Sequence, residues 1–409
     1  MRILMIAATY PPTRCGVGDY VRRVGRELHR AGEDVFVLTG EAEDLEHDHG
    51  DPTVAAVGAR PAPRRIETLR FDTADHGVRL SRQVPDWRWG ALDWIDAALR
   101  EVRPDVVSLQ FHGEDYLLHP AVCAVGDLAR DHGRPVVTTL HNLQRPVAWS
   151  DPSDPLEHLL RSSAAWICTN AIDEARLNVH EAADRLHVIP TGPCITDDRG
   201  RRTVGADGPL RIGYFGFLNP FKGIEYLLRA AADLHAEGRA LHVELAAGIH
   251  TDAPGRLREY ARFVEDEIER LGIAPVLERH GYVTDEEVGA LLGRSHVAVF
   301  PFRDGLSGKN SSFWSTMHHG TPTLTTRGPG LPTGMVDGEN TMLVPTEDHA
   351  AIAERLRWAD AHRAELEAIG RAGRDFVVRS FDWSVIARSM HEVFASAVAS
   401  HPARTEESR

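Results

Sequence analysis

Short apolar runs rich in Val, Ile and Leu alternate with amphipathic segments of helical period along most of the chain, and this constrains the fold more than any other feature. A strand buried on both faces reads as a continuous apolar run, and neighbouring strands run parallel when a helix carries the chain back between them. The pattern predicts an α/β architecture with parallel sheets covered on both faces. Arg2–Ala8 predicts the first strand, and about Asp19–Ala31 an amphipathic helix with Tyr20, Val24 and Leu28 on one face. Further strands are predicted at Val35–Leu38, Val54–Val57, Asp105–Phe111, Pro135–Leu140, Trp166–Thr169 and Leu186–Pro190. Helices are predicted at Ala91–Val102, Pro120–His132 and Leu156–Ala165. Pro61–Arg82 carries little pattern and reads as an irregular insertion.

A polar stretch, Asp197–Gly208, has the composition of a linker, and beyond it the alternation restarts. Strands are predicted at Leu210–Phe215, Leu241–Ala246, Val276–Glu278, His296–Pro301 and Thr323–Thr325. Helices are predicted at Ile224–Ala236, Arg256–Leu271, Asp285–Leu292, Ser311–His319 and Ala350–Ala361, with a mostly helical tail over Ala364–Ala399. The expected architecture is two Rossmann-like, doubly wound parallel-sheet domains, residues 1–198 and 209–381, facing each other across a cleft. Such sheets bind ligands at the carboxyl ends of their strands.

Composition narrows the function. The 409 residues carry a formal net charge of -14, which argues against unspecific binding to nucleic acid or anionic lipid. Cys15, Cys123, Cys168 and Cys194 are scattered without a metal or redox spacing, so buried thiols in a reducing compartment are expected. The first residues already read as a core strand and not as a secretory leader, and no run of 18 apolar residues exists to span a bilayer, so the expected location is cytoplasmic. Of 46 basic side chains only Lys222 and Lys309 are lysine. Each lies beside glycine in a loop that opens a helix, where a compact ammonium and helix amides suit a phosphate.

Five segments carry candidate chemistry. In Tyr10-Pro11-Pro12-Thr13-Arg14-Cys15-Gly16-Val17-Gly18 the glycines let backbone amides approach a ligand, but no third glycine completes a dinucleotide fingerprint. His141 follows one predicted core strand and His112 another, positions from which an imidazole can orient a hydroxyl or take a proton. Phe215-Gly216-Phe217-Leu218-Asn219-Pro220-Phe221-Lys222-Gly223 places an ammonium at a helix start, suited to a diphosphate leaving group. Pro301–Ser312, with Ser307, Gly308, Lys309, Asn310, Ser311 and Ser312, has the small residues and hydroxyls of an anion-binding nest. His47-Asp48-His49 lies in an acidic loop without a supporting ligand pattern, and no metal site is expected.

On these residues the chain resembles family 4 of the glycosyltransferases, whose fold is GT-B. Tyr10-Pro11-Pro12 with Gly16 and Gly18 resembles the family's acceptor-side glycine loop, and Thr139-Leu140-His141-Asn142 its Thr-x-His-Asp segment. His187-Val188-Ile189-Pro190-Thr191-Gly192 is similar to the Val-Ile-Pro-Asn-Gly element. Phe215–Gly223 resembles the Gly-Arg-Leu-x-x-x-Lys-Gly diphosphate motif, with Phe217 where arginine is usual. Phe381–Ala399 resembles the C-terminal helix, about residues 382–400, that returns to the first domain. The family's paired glutamates are replaced by Ser307 and Ser315, and Lys309 supplies a second positive charge in place of the missing arginine.

The resemblance implies a retaining, metal-independent and cofactor-free transfer from a nucleotide diphosphate-sugar to a small soluble acceptor, in natural-product or glycoconjugate biosynthesis. Lys222, Lys309 and His141 are the implied catalytic residues. Gly216, Phe217, Gly281, Tyr282, Ser307, Gly308, Asn310, Ser311, Ser312 and Ser315 are implied on the donor side, and Gly16, Gly18 and His112 on the acceptor side. Two alternatives share this architecture: a nucleotide-sugar epimerase and a non-catalytic sugar-nucleotide-binding subunit.

Overall fold

The computed structural model describes residues 1–13, 15–41, 62–116, 119–143, 147, 154–177, 183–195, 202–205, 207–248, 255–281 and 283–401. The chain forms two compact units, Met1–Pro190 with Trp383–Arg409, and Thr191–Asp382.

The strands of the first unit are β1 (Arg2–Ile6), β2 (Asp34–Gly40), β3 (Thr73–Asp75), β4 (Val78–Val84), β5 (Val106–Phe111), β6 (Val136–Leu140), β7 (Ala165–Cys168) and β8 (Leu186–Val188). They form one sheet in the order β3-β4-β2-β1-β5-β6-β7-β8. Every neighbouring pair is parallel except β3 and β4, which form an antiparallel hairpin. The central strands β5 and β6 are buried at every residue, which explains their unbroken apolar character. The helices of this unit are α1 (Gly16–Arg30), α2 (Ala91–Val102), α3 (Val125–Asp131), α4 (Pro155–Ser162) and α5 (Ala171–Leu177). A further helix, α12 (Trp383–Ala399), packs with α1: Trp383, Ile386, Met390 and Phe394 share a core with Tyr20, Val21, Val24 and Leu28. The Tyr20 hydroxyl reaches the Met390 sulfur at 3.1 Å.

The second unit is wound around β9 (Leu210–Phe217), β10 (Leu241–Gly248), β11 (Leu277–His280), β12 (Val297–Phe300), β13 (Thr323–Thr326) and β14 (Met342–Val344). Their order is β11-β10-β9-β12-β13-β14, and every pair is parallel. The crossovers between its strands are α6 (Ile224–Ala236), α7 (Gly255–Leu271), α8 (Asp285–Arg294) and α9 (Ser311–His319), and α10 (His349–Ala361) and α11 (Arg363–Ser380) follow β14. The strand order reverses at β1/β5 in the first unit and at β9/β12 in the second. Loops leaving these strands are where doubly wound sheets bind ligands. No helix among the described residues is long and apolar enough to cross a membrane.

Several expectations need correction. Pro61–Arg82 is not irregular throughout, because Thr73–Val84 contains the β3–β4 hairpin. Its turn is made by His76 and Gly77, both with positive φ, which is the backbone that folds a twisted two-residue hairpin. The first helix begins at Gly16, before Asp19, because Cys15 takes the extended conformation of an N-cap (φ -147°, ψ 135°). The segment Pro120–Ala124 is a 3-10 turn leading into α3. The helical tail breaks at Phe381 and Asp382, between α11 and α12. The expected strand Val54–Val57 lies outside the described residues.

Candidate active site

In the second unit the chain leaves β9 at Phe217, and Pro220–Lys222 forms a 3-10 turn capped by the Asn219 side chain, which accepts from the Phe221 amide at 3.0 Å. Gly223 then starts α6 in the left-handed region, φ +64°. A Cβ there would lie 2.1 Å from the Pro301 carbonyl oxygen, so glycine alone lets this turn pack against the loop after β12. The turn fixes Lys222, whose Nζ lies 5.0 Å from the Phe302 ring centroid. Burial pushes the half-buried Lys222 ammonium down to about 8, an effect opposed by Cys194 and reinforced by the positive charge of Lys309.

The loop from Pro301 to Asn310 is tied at several points. Arg303 is held by the buried carboxylate of Glu225, with Nε to Oε1 at 3.0 Å, and its amide donates to the Phe221 carbonyl at 3.1 Å. The Ser307 amide and hydroxyl both donate to Asn310 Oδ1, at 2.8 and 3.0 Å. The Gly308 carbonyl accepts from the amide and hydroxyl of Thr191 and from Trp314 Nε1. Because Asn310 turns back to Ser307, its side chain makes no capping bond to α9. The first-turn amides of α9 bring the partial positive charge of a helix start beside the exposed Lys309.

The other expected donor-side residues divide clearly. Ser311 and Ser312 occupy the first turn of α9, half-buried, Gly216 is the penultimate residue of β9, and Phe217 is 46% exposed. Gly281 follows β11 and lines a cavity of about 270 Å³ with Leu218, Leu245, Ala247, Val264 and His280. Tyr282 lies outside the described residues. Ser307 and Ser315 are buried, and their hydroxyls are engaged within the fold. Ser315 donates to the Ser311 carbonyl at 2.8 Å and accepts from the Ile195 amide at 3.1 Å, with the Cys194 sulfur also at 3.1 Å. It binds the segment after Thr191 onto α9, and so brings Cys194 close to Lys222. The sequence alone did not single out Cys194.

In the first unit, His112 and His141 follow the adjacent strands β5 and β6. His141 donates its amide to the Phe111 carbonyl at 3.0 Å, and its Nε2 lies 3.0 Å from Gln110 Oε1. Its ring meets Tyr20 edge-on with centroids 4.8 Å apart. Burial lowers the imidazole to about 3, with His112 adding to the shift and Asp115 opposing it, so His141 is neutral at physiological pH. His112 Nδ1 lies 3.0 Å from Asp115 Oδ1, and the Cys15 thiol lies 3.6 Å from Asp115 Oδ2. Burial, and then the charge of Asp115, raise the Cys15 thiol above its usual range. Gly16 opens α1, and a Cβ on Gly18 would lie 3.1 Å from the Thr9 carbonyl oxygen, so α1 starts in close contact with the loop after β1. Gln110, Asp115 and Cys15 therefore join the expected histidines. A glutamine inside the apolar run Val106–Phe111 was the one local signal for this group.

Among the described residues, His242, Glu244 and Glu278 also converge. Glu244 is paired there with Arg294 (Nε at 2.7 Å) and with His280 (3.0 Å), which makes the group an ion-pair network on the β10–β11 edge.

Residues 209–359 match the family described as glycosyl transferases group 1, and residues 15–193 match glycosyltransferase family 4. The chain is 25% identical over 428 aligned residues to the MMP α-(1→4)-mannosyltransferase of Mycolicibacterium hassiacum, covering 98% of this chain and 99% of that one. Its fold is similar to that of sucrose-phosphate synthase from Thermosynechococcus elongatus, with a TM-score of 0.71 at 20% identity, covering 98% and 99% of the two chains. It is also similar to Anabaena HepE in complex with UDP-glucose, with a TM-score of 0.67 at 14% identity, covering 97% and 100%. Fold and family matches together define the class: this is an enzyme, a glycosyltransferase of GT-B fold. The two matched regions take in most of both units. Over residues 15–193 the family it resembles is glycosyltransferase family 4.

Proposed function

We propose that this glycosyltransferase transfers a sugar, with retention and without metal or cofactor, from a nucleotide diphosphate-sugar to a small soluble acceptor in the cytosol. The observation that carries this reading is the placement of the chain's only two lysines. Lys222 and Lys309 follow the adjacent strands β9 and β12, close enough for their charges to repel, and Lys309 adjoins the start of α9. Two like charges are held together at little benefit unless an anion joins them, and a diphosphate carries the charge they would share. Negative charge grows on the departing phosphate as the glycosidic bond breaks. Lys222, Lys309 and the α9 amides are the groups that stabilise it, and Gly308–Ser312 form the backbone cradle. The cavity beside Gly281 is large enough for a base, and HepE in complex with UDP-glucose supports a nucleotide-sugar donor. With Ser307 and Ser315 turned into the fold, the sugar and ribose contacts fall to backbone groups and to residues around them. Gly16, Gly18, His112 and His141 form the acceptor side, where the neutral His141 imidazole accepts a hydrogen bond from a hydroxyl. The departing phosphate takes the acceptor proton, so no strong protein base is needed.

Thermal-shift screening with UDP, GDP, ADP and TDP fixes the base first. With that donor, Lys222→Ala should slow transfer by roughly 100-fold or more, the scale of one lost transition-state donor. Wild-type turnover in that variant would overturn the assignment. Product analysis with and without acceptor distinguishes transfer from epimerisation, and donor binding without turnover on any acceptor would indicate a binding subunit.

A further inference from the structure

We infer that Glu225 and Arg303 are positioning residues for the donor diphosphate: their ion pair clamps the loop after β12 onto the turn that carries Lys222, and so aims that ammonium. The inference rests on the donor side proposed above, which it deepens. Glu225 stands three residues beyond Lys222, in the first turn of α6, and is 1% exposed. Both its oxygens are engaged. Arg303 donates to Oε1 from Nε at 3.0 Å and again from Nη2, and the Tyr260 hydroxyl of α7 donates to Oε2. The carboxylate is thus fixed from a second helix while it grips the loop.

The grip reaches Lys222 by two short routes. The Arg303 amide donates at 3.1 Å to the carbonyl of Phe221, the residue before Lys222. Phe302, the residue before Arg303, offers the ring that lies 5.0 Å from Lys222 Nζ. Moving Arg303 therefore moves both groups that set the lysine. The guanidinium carbon lies 5.5 Å from the Tyr226 ring centroid, and the exposed Glu347 is 3.5 Å from Nη1. Two carboxylates thus face Arg303, whereas among the described residues none pairs with Lys222. The acidic charge at the start of α6 is committed to the arginine, and the lysine keeps its own for an anionic ligand. A buried ion pair adds little net stability, because desolvating two charges offsets most of their attraction, so what this one supplies is registry between two loops.

Because the chain has only two lysines, the first test needs no substrate. Carbon–proton spectra of the full chain, labelled at the lysine ε-carbons, should show Lys222 displaced by the Phe302 ring current and identified by its loss in Lys222→Arg. Glu225→Gln and Arg303→Met should each move that signal toward the position of a free lysine and leave Lys309 in place. A Lys222 signal unmoved in both folded variants overturns the inference. Calorimetry then takes inorganic pyrophosphate as the probe. Each variant should weaken its binding by about tenfold, the scale of one misplaced charge-assisted hydrogen bond, with Arg303→Lys recovering part of the loss. In a Lys222→Ala background Glu225→Gln should add nothing further, since it acts through that ammonium. Glu267→Gln breaks another buried pair of the same unit, with Arg229 Nε at 3.0 Å, and should lower the melting temperature without weakening pyrophosphate. Additive losses with Lys222→Ala, or equal weakening in Glu267→Gln, would refute the positioning role. A wild-type chain that does not bind pyrophosphate would overturn the donor reading and the ligand named here, whereas unmoved lysine spectra overturn the clamp alone.

Discussion

At the scale of single residues, Lys222 combines two opposing demands. Burial lowers its affinity for a proton, and Lys309 lowers it further, so its pKa falls to about 8 although the Phe302 ring beside it favours the charged form. A bound diphosphate reverses the balance by favouring the charged form. The bound state therefore has the higher pKa, and linkage gives the sign: affinity is full below about 8 and declines as pH rises through that value, because the amine must take up a proton to bind. Calorimetry with the nucleoside diphosphate from pH 6.5 to 10 should show this decline, and Lys222→Ala should remove it. His141 behaves differently. Lowered to about 3, it stays uncharged throughout that range.

At the scale of elements, α12 is an integral wall of the first unit's core. Phe394 is fully buried and Met390 contacts Tyr20, so Phe394→Ala should cost roughly 3–5 kcal/mol of stability in the first unit. Hydrogen exchange should then quicken in β1, β5 and β6 and stay unchanged in β9, β10 and β12. Elements with strong period and clean ends were readable from sequence: α2, α6 and α9 begin and end where their patterns do. The β3–β4 hairpin was missed because its turn uses His76-Gly77, without the usual Asn-Gly or Asp-Gly signal, and because β3 is three residues long. The three-residue β14 and the short α5 were missed for the same lack of length. The start of α1 was placed late because Gly16 and Gly18 read as loop, although a helix's first turn tolerates them. The candidate site was legible where composition marked it, at Lys222 and Lys309, and where a strand end marked it, at His112 and His141. Cys15 with Asp115, and Cys194 with Ser315, are partners 100 and 121 residues apart, and no local pattern reports such a pairing.

At the scale of the whole molecule, the residues proposed for the donor all belong to the second unit, and those proposed for the acceptor to the first. A nucleoside diphosphate at 100 times its Kd should therefore add about 2.7 kcal/mol of stability. Its exchange protection should concentrate in the loops after β9 and β12 and at the start of α9. Equal protection around His112 and His141 would contradict the division of roles. The same division has a consequence for synthesis on the ribosome. The second unit is one uninterrupted stretch, Thr191–Asp382, whereas the first is assembled from both ends of the chain. The half translated later thus emerges complete while the half translated earlier still waits for its last helix, exposing meanwhile the face of α1 that α12 will cover.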